Sequence, residues 1–113
     1  SIAVTVAKRL EGEFAGRAEF VYANDLAAKE FAEREIIAID AAQGIKKVEM
    51  LNNLDGIGAG AGLSTHGFDI GFQLKLLKKA GKISSARIIA VPLGYGIENA
   101  VAEARELLRS ILP

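Results

Sequence analysis

Two residues of this chain could do chemistry in company. Asp40 ends the apolar run "EIIAID", and His66, the one histidine, stands in "AGLSTHGFDIGF". A carboxylate at the end of an apolar strand is costly unless it finds a partner. Asp40 can be satisfied by capping the next turn, "AAQG", or it can offer oxygen to a metal or a reacting group. In "LSTHGF", Ser64 or Thr65 stands where a helix N-cap belongs, which puts His66 in the first turn. The positive end of a helix dipole disfavours an imidazolium, and neutral imidazole is the form that coordinates metals. The plain alternative is a solvated first-turn histidine. Together the two residues supply one oxygen and one nitrogen, and zinc, nickel or a similar ion needs a third ligand.

Other chemistries fit less well. "GIGAGAG" (56–62) lacks the lysine and spacing of a phosphate-binding loop and does not directly follow a strand in the GxGxxG pattern. A surface loop, able to act as a lid or peptide clamp, is the reading it supports. Ser64 beside His66 hints at a hydrolase, yet no G-x-S-x-G elbow is present. With no cysteine, disulfides, thiolate metal sites and a cysteine nucleophile are excluded.

The elements that must position Asp40 and His66 follow from periodicity. Residues 2–13 read as a helix with Ile2, Ala3, Val6, Ala7, Leu10 and Phe14 on one face; Ser1 can cap it. "AEFVYA" (18–23) reads as a strand with Phe20 and Tyr22 on one side and Val21 on the other. "DLAAKEFAER" reads as a short helix set against the sheet by Leu26, Ala27, Glu30 and Phe31. The unbroken apolar run 35–40 suits a central parallel strand covered on both faces. The more polar "KKVEML" (46–51) reads as a strand nearer an edge, and 52–63 as irregular chain. A helix is expected from about Gly67 to Ala80 with Gly81 as its C-cap. "ARIIAVPL" (86–93) is a second buried strand ended by Pro92. "IENAVAEARELLRSIL" (97–112) is an amphipathic helix with Val101, Ala104, Leu108 and Ile111 or Leu112 inward.

This alternation predicts an α/β fold: a three-layer sandwich with a twisted, mostly parallel sheet and helices on both faces. The 113 residues suit one domain, 1–113. Folds of this kind usually open with a strand, so a further strand and loop are expected ahead of Ser1. In parallel sheets ligands bind beyond the carboxyl ends of the strands, where Asp40 and His66 could converge. Fourteen basic and fourteen acidic residues leave no global pull toward nucleic acid or anionic membrane. The one basic cluster, Lys75, Lys78, Lys79 and Lys82, reads as a solvated helix C-terminus. No apolar run reaches the ~18 residues of a membrane span, and no signal peptide is visible. The lack of cysteine fits a reducing, cytoplasmic setting.

"SIAVTVAKRLEGEF", "EIIAIDAAQG", "LSTHGFDIGFQLKLLKKAGKI" and "ARIIAVPLGYG", in this order and spacing, resemble the NiFe-hydrogenase maturation endopeptidases. The similarity spans nearly the whole chain, and order and spacing carry it more than any one motif. It implies a helix-sandwiched twisted sheet. It also implies an enzyme that removes the C-terminal extension of a hydrogenase large-subunit precursor once nickel is inserted. Asp40 and His66 match two of the family's three metal-contacting positions. The third, an acid in a "GNxLxxD(D/E)" motif, would precede Ser1. The chain also departs from the family at "ANDL" (23–26), where Asp-Gly-Gly is common. The metal would be the nickel carried by the substrate, with other divalent cations able to occupy the position in vitro. Asp40 would contact that nickel and could also serve as general base. Two other readings stand beside this one: a non-catalytic binding or regulatory module of the same fold, and a nucleotide-binding α/β domain using the 56–62 loop.

Overall fold

The computed structural model describes residues 2–22, 31, 35–52, 54 and 65–112, with the backbone alone for 65–69. The elements run α1 (Ile2–Glu11), β1 (Ala18–Val21), β2 (Glu35–Ala42), β3 (Glu49–Leu51), α2 (Thr65–Lys79), β4 (Arg87–Pro92) and α3 (Ile97–Ile111). The predicted helix over 25–34 lies outside the described residues except for Phe31, which is half-buried against the core. Most of the glycine-rich segment also lies outside them.

The four strands form one mixed sheet in the order β1-β2-β4-β3. β1, β2 and β4 are parallel, and β3 runs antiparallel to β4. The polar strand is therefore at the edge, as its composition predicts, because Glu49 can face solvent only where one flank is uncovered. The apolar run becomes β2, between β1 and β4. Ile36, Ile37, Ala38 and Ile39 are all buried, as a strand covered on both faces requires. β1 and β2 pair directly, Ala18 opposite Glu35 through Val21 opposite Ala38.

Alternation along the strands sorts the core into two layers. Phe20, Ile37, Ile39, Ile89 and Val91 point to one face, where they meet Val6, Leu10 and Phe14 of the α1 segment and Val101, Ala104 and Leu108 of α3. Val21, Ile36, Ala38 and Ile88 point to the other, where they meet Ile70 and Leu74 of α2 with Ile83 and Ala86 behind it. Helices thus cover both faces, and the fold is the α/β sandwich that the sequence predicts.

Element ends differ from expectation where a partner sets them. β2 does not stop at Asp40. It continues through Ala42 because β4 runs alongside, with Asp40 opposite Ala90 and Ala42 opposite Pro92. α1 ends at Glu11, and Gly12 to Arg17 form a turn in which Phe14 caps the core. α2 ends as Gly81 predicts. The Lys82 N–H donates to the Leu77 carbonyl at 3.0 Å and the Gly81 N–H to the Lys78 carbonyl at 3.1 Å. These two bonds make a Schellman motif, which needs the φ of +76° that Gly81 adopts. Among the described residues no helix is long and apolar enough to cross a membrane.

Candidate functional site

The site begins with the pleat of β2. Side chains alternate across a strand, so Asp40 shares a face with Ile36 and Ala38, the residues that pack under α2. It lies two positions before the carboxyl end of β2, past the apolar core, and is half-buried. Its Oδ1 accepts the N–H of Ala41 at 2.8 Å. That bond is local, and its donor is the first residue of "AAQG". It orients the carboxylate by its own backbone.

α2 brings the second residue. Its C-terminus leads through residues 80–86 to the start of β4, at the amino end of the sheet. The helix packs on β2, so its N-terminus must lie toward the carboxyl ends of the parallel strands. α2 begins at Thr65, two residues before the expected Gly67, and His66 is in its first turn. The backbone of α2 therefore carries position 66 to the face and the end of the sheet that hold Asp40. The side chain of His66 lies outside the described residues.

The same end of the sheet has a second set of polar groups, on the opposite face. Past β4 the chain turns through Leu93 and Gly94, with the Tyr95 N–H donating to the Pro92 carbonyl at 3.2 Å. The Leu93 N–H donates to the Ala42 carbonyl at 3.1 Å, which ties this turn to the end of β2. Tyr95 Oη donates to Glu103 Oε2 at 2.6 Å, and the Val48 N–H donates to Glu103 Oε1 at 3.0 Å. One α3 carboxylate thus holds both the loop leaving β2 and the loop leaving β4. The Tyr95 hydroxyl, then the Val48 N–H, hold the Glu103 carboxyl below its ordinary range. The same hydrogen bond pushes the Tyr95 phenol up. Sequence reasoning did not single out Glu103. The signal was its place beside the apolar stripe of α3, three after Ala100 and one before Ala104, where a carboxylate needs a donor from another element.

The donor set decides what the site can hold. Among the described residues no group of three or more histidine, cysteine, aspartate or glutamate side chains is placed to grip a metal ion. Asp40 alone does not make a resident metal centre. It can contribute one oriented carboxylate to an ion that arrives with other ligands, or take a proton from a water and pass it to a leaving peptide nitrogen. No family model, curated protein or solved structure matches the chain.

Proposed function

We propose that this chain is the working domain of a metal-recognising endopeptidase. It would remove the C-terminal extension of a NiFe-hydrogenase large-subunit precursor after nickel insertion. One observation supports the reading most. The helix that opens with "THGF" packs on the face of the mostly parallel sheet that Asp40 shares with Ile36 and Ala38, and these two segments are among those that carry the resemblance.

The nickel in this reading is part of the substrate, held by the precursor's own thiolates. Asp40 and His66 would add ligands to it and so place one scissile bond in register, a proximity effect. This division suits a chain with no cysteine and no three-donor group among its described residues. The Ala41 N–H that binds Asp40 Oδ1 keeps the carboxylate from turning when substrate arrives. The protein would work in the cytoplasm, with the precursor as its partner.

The test is cleavage of nickel-loaded precursor by the complete gene product, followed by mass. Asp40→Asn and His66→Ala are expected to lower the cleavage rate by a factor of about a hundred or more, as loss of a substrate-positioning contact does. Precursor without nickel is expected to stay uncut. Unchanged processing by both variants overturns the proposal. Tight binding of the precursor by wild-type protein with no cleavage would instead establish a binding module of the same fold.

A further inference from the structure

The exposed face of α2 carries a feature that the proposed chemistry does not use. Phe72, Lys75, Leu76 and Lys79 recur at the spacing of one helix face, opposite the face that buries Ile70 and Leu74. Phe72 is 47% exposed and Leu76 52%, two of the few large apolar side chains left in solvent among the described residues. With Lys75, Lys78 and Lys79 they line a surface cleft of about 440 Å³. Lys82 follows in the helix-ending turn. From Phe72 to Lys82 there is no acidic residue, whereas the chain as a whole is neutral.

Lysines in a last helical turn complement the helix dipole, which accounts for Lys78 and Lys79 by themselves. It does not account for an aromatic and a leucine half-exposed between them. Apolar anchors in a cleft rimmed by one sign of charge are complementary to an apolar segment flanked by the other sign. A second copy of the same face would set lysines against lysines.

We infer that this face of α2 docks an acidic, amphipathic helix of a partner protein, whose apolar side chains enter the cleft between Phe72 and Leu76 while its carboxylates meet the lysines. The face lies on the second half of α2, toward the amino end of the sheet. It is separate from Asp40 and does not depend on the endopeptidase reading.

The experiment is fluorescence anisotropy of labelled helical peptides titrated with the whole protein. The peptides share leucines at i, i+4 and i+7 and differ only in flanking glutamates or lysines. A vesicle arm uses phosphatidylcholine with phosphatidylserine. The glutamate peptide is expected to saturate and the lysine peptide to bind at least about tenfold more weakly. Phe72→Ala and Leu76→Ala should each weaken the glutamate peptide by about tenfold, as loss of an anchor does, with the circular dichroism spectrum unchanged. Lys75→Gln with Lys79→Gln should weaken binding and flatten its salt dependence. Failure of the glutamate peptide to saturate, or equal binding of both peptides, overturns the inference. So does binding that survives both anchor variants. Preferential binding to vesicles, or self-association lost in Leu76→Ala, also overturns it by assigning the face to a membrane or a second copy.

Discussion

On one face of the sheet the α1 segment and α3 lie together and enclose Leu10, Phe14 and Leu108 completely; on the other, α2 seals Leu74 yet leaves Phe72 and Leu76 half in solvent. The first face is also tied along its rim. Arg105 reaches Glu13 at 2.9 Å, Arg109 reaches it at 3.5 Å, and Arg9 reaches Glu98 at 3.1 Å. These pairs are at least partly exposed and add little stability each, but they fix the α1 segment to α3 in one register. The contrast separates two duties. The α1 and α3 layer is closed, as a stabilising core should be. The α2 layer carries position 66 in its first turn and half-exposed Phe72 and Leu76 farther along, so it is less closed than the first.

Core truncation tests that contrast most strongly. Phe14→Ala removes a fully buried ring from the junction of α1 and β1 and should cost about 4 kcal/mol in urea unfolding. Leu74→Ala, equally buried under α2, should cost about 3 kcal/mol. Leu76→Ala, two residues along the same helix, should change stability by less than about 0.5 kcal/mol because its side chain is half in solvent already. A large loss in Leu76→Ala would mean that α2 is closed on both sides, and the comparison of faces would fail.

Gly81→Ala probes the end of α2 with a smaller effect. The methyl group would meet no neighbouring atom, so any loss comes from the backbone. At φ +76° an L residue is strained, and the expected cost is about 1 kcal/mol. Hydrogen exchange should rise at the Lys82 amide, whose bond to the Leu77 carbonyl depends on that turn. Unchanged stability would show that the Schellman bonds do not hold the helix end.

These residues also mark how far the chain could be read without a structure. The centre of β2 was legible because Ile36 through Ile39 are apolar without alternation, a pattern that only two-sided burial favours. The polar edge strand, the stripe of α3 and the Gly81 stop were legible for equally local reasons. The length of β2 was not, because its last residues are held by β4, which lies far along the chain. For the same reason Asp40 read as a strand end when it is an interior position. The site was legible only as two residue types at two junctions. The packing of α2 on the Asp40 face of β2 depends on the order of β1, β2 and β4, and no local pattern encodes that order. The Glu103 clasp was least legible of all, since Val48 and Tyr95 reach it from loops that periodicity leaves undefined.

That clasp supplies the smallest expected effect, one of pH dependence. The Glu103 carboxyl is held below its ordinary value of 4.5, first by the Tyr95 hydroxyl and then by the Val48 N–H. A depressed carboxylate adds stability above its unfolded pKa, and that contribution is lost as pH falls through the folded value. Wild-type protein should therefore lose stability below about pH 4.5 more steeply than Glu103→Gln, which has no proton to take up. Tyr95 works in the other direction at the alkaline end. Its raised phenol favours the protonated form, so its contribution is intact below its ordinary 10.0 and fades as pH rises through the folded value. Tyr95→Phe should remove both dependences at once if the two side chains act as one unit, because it deletes the titrating phenol and the main cause of the Glu103 shift. Thermal unfolding followed across pH for wild type and the two variants separates the cases. Were Tyr95→Phe to leave the acid limb as steep as wild type, the Val48 N–H would be the group that matters, and the clasp would be a tie between α3 and the β2 loop alone.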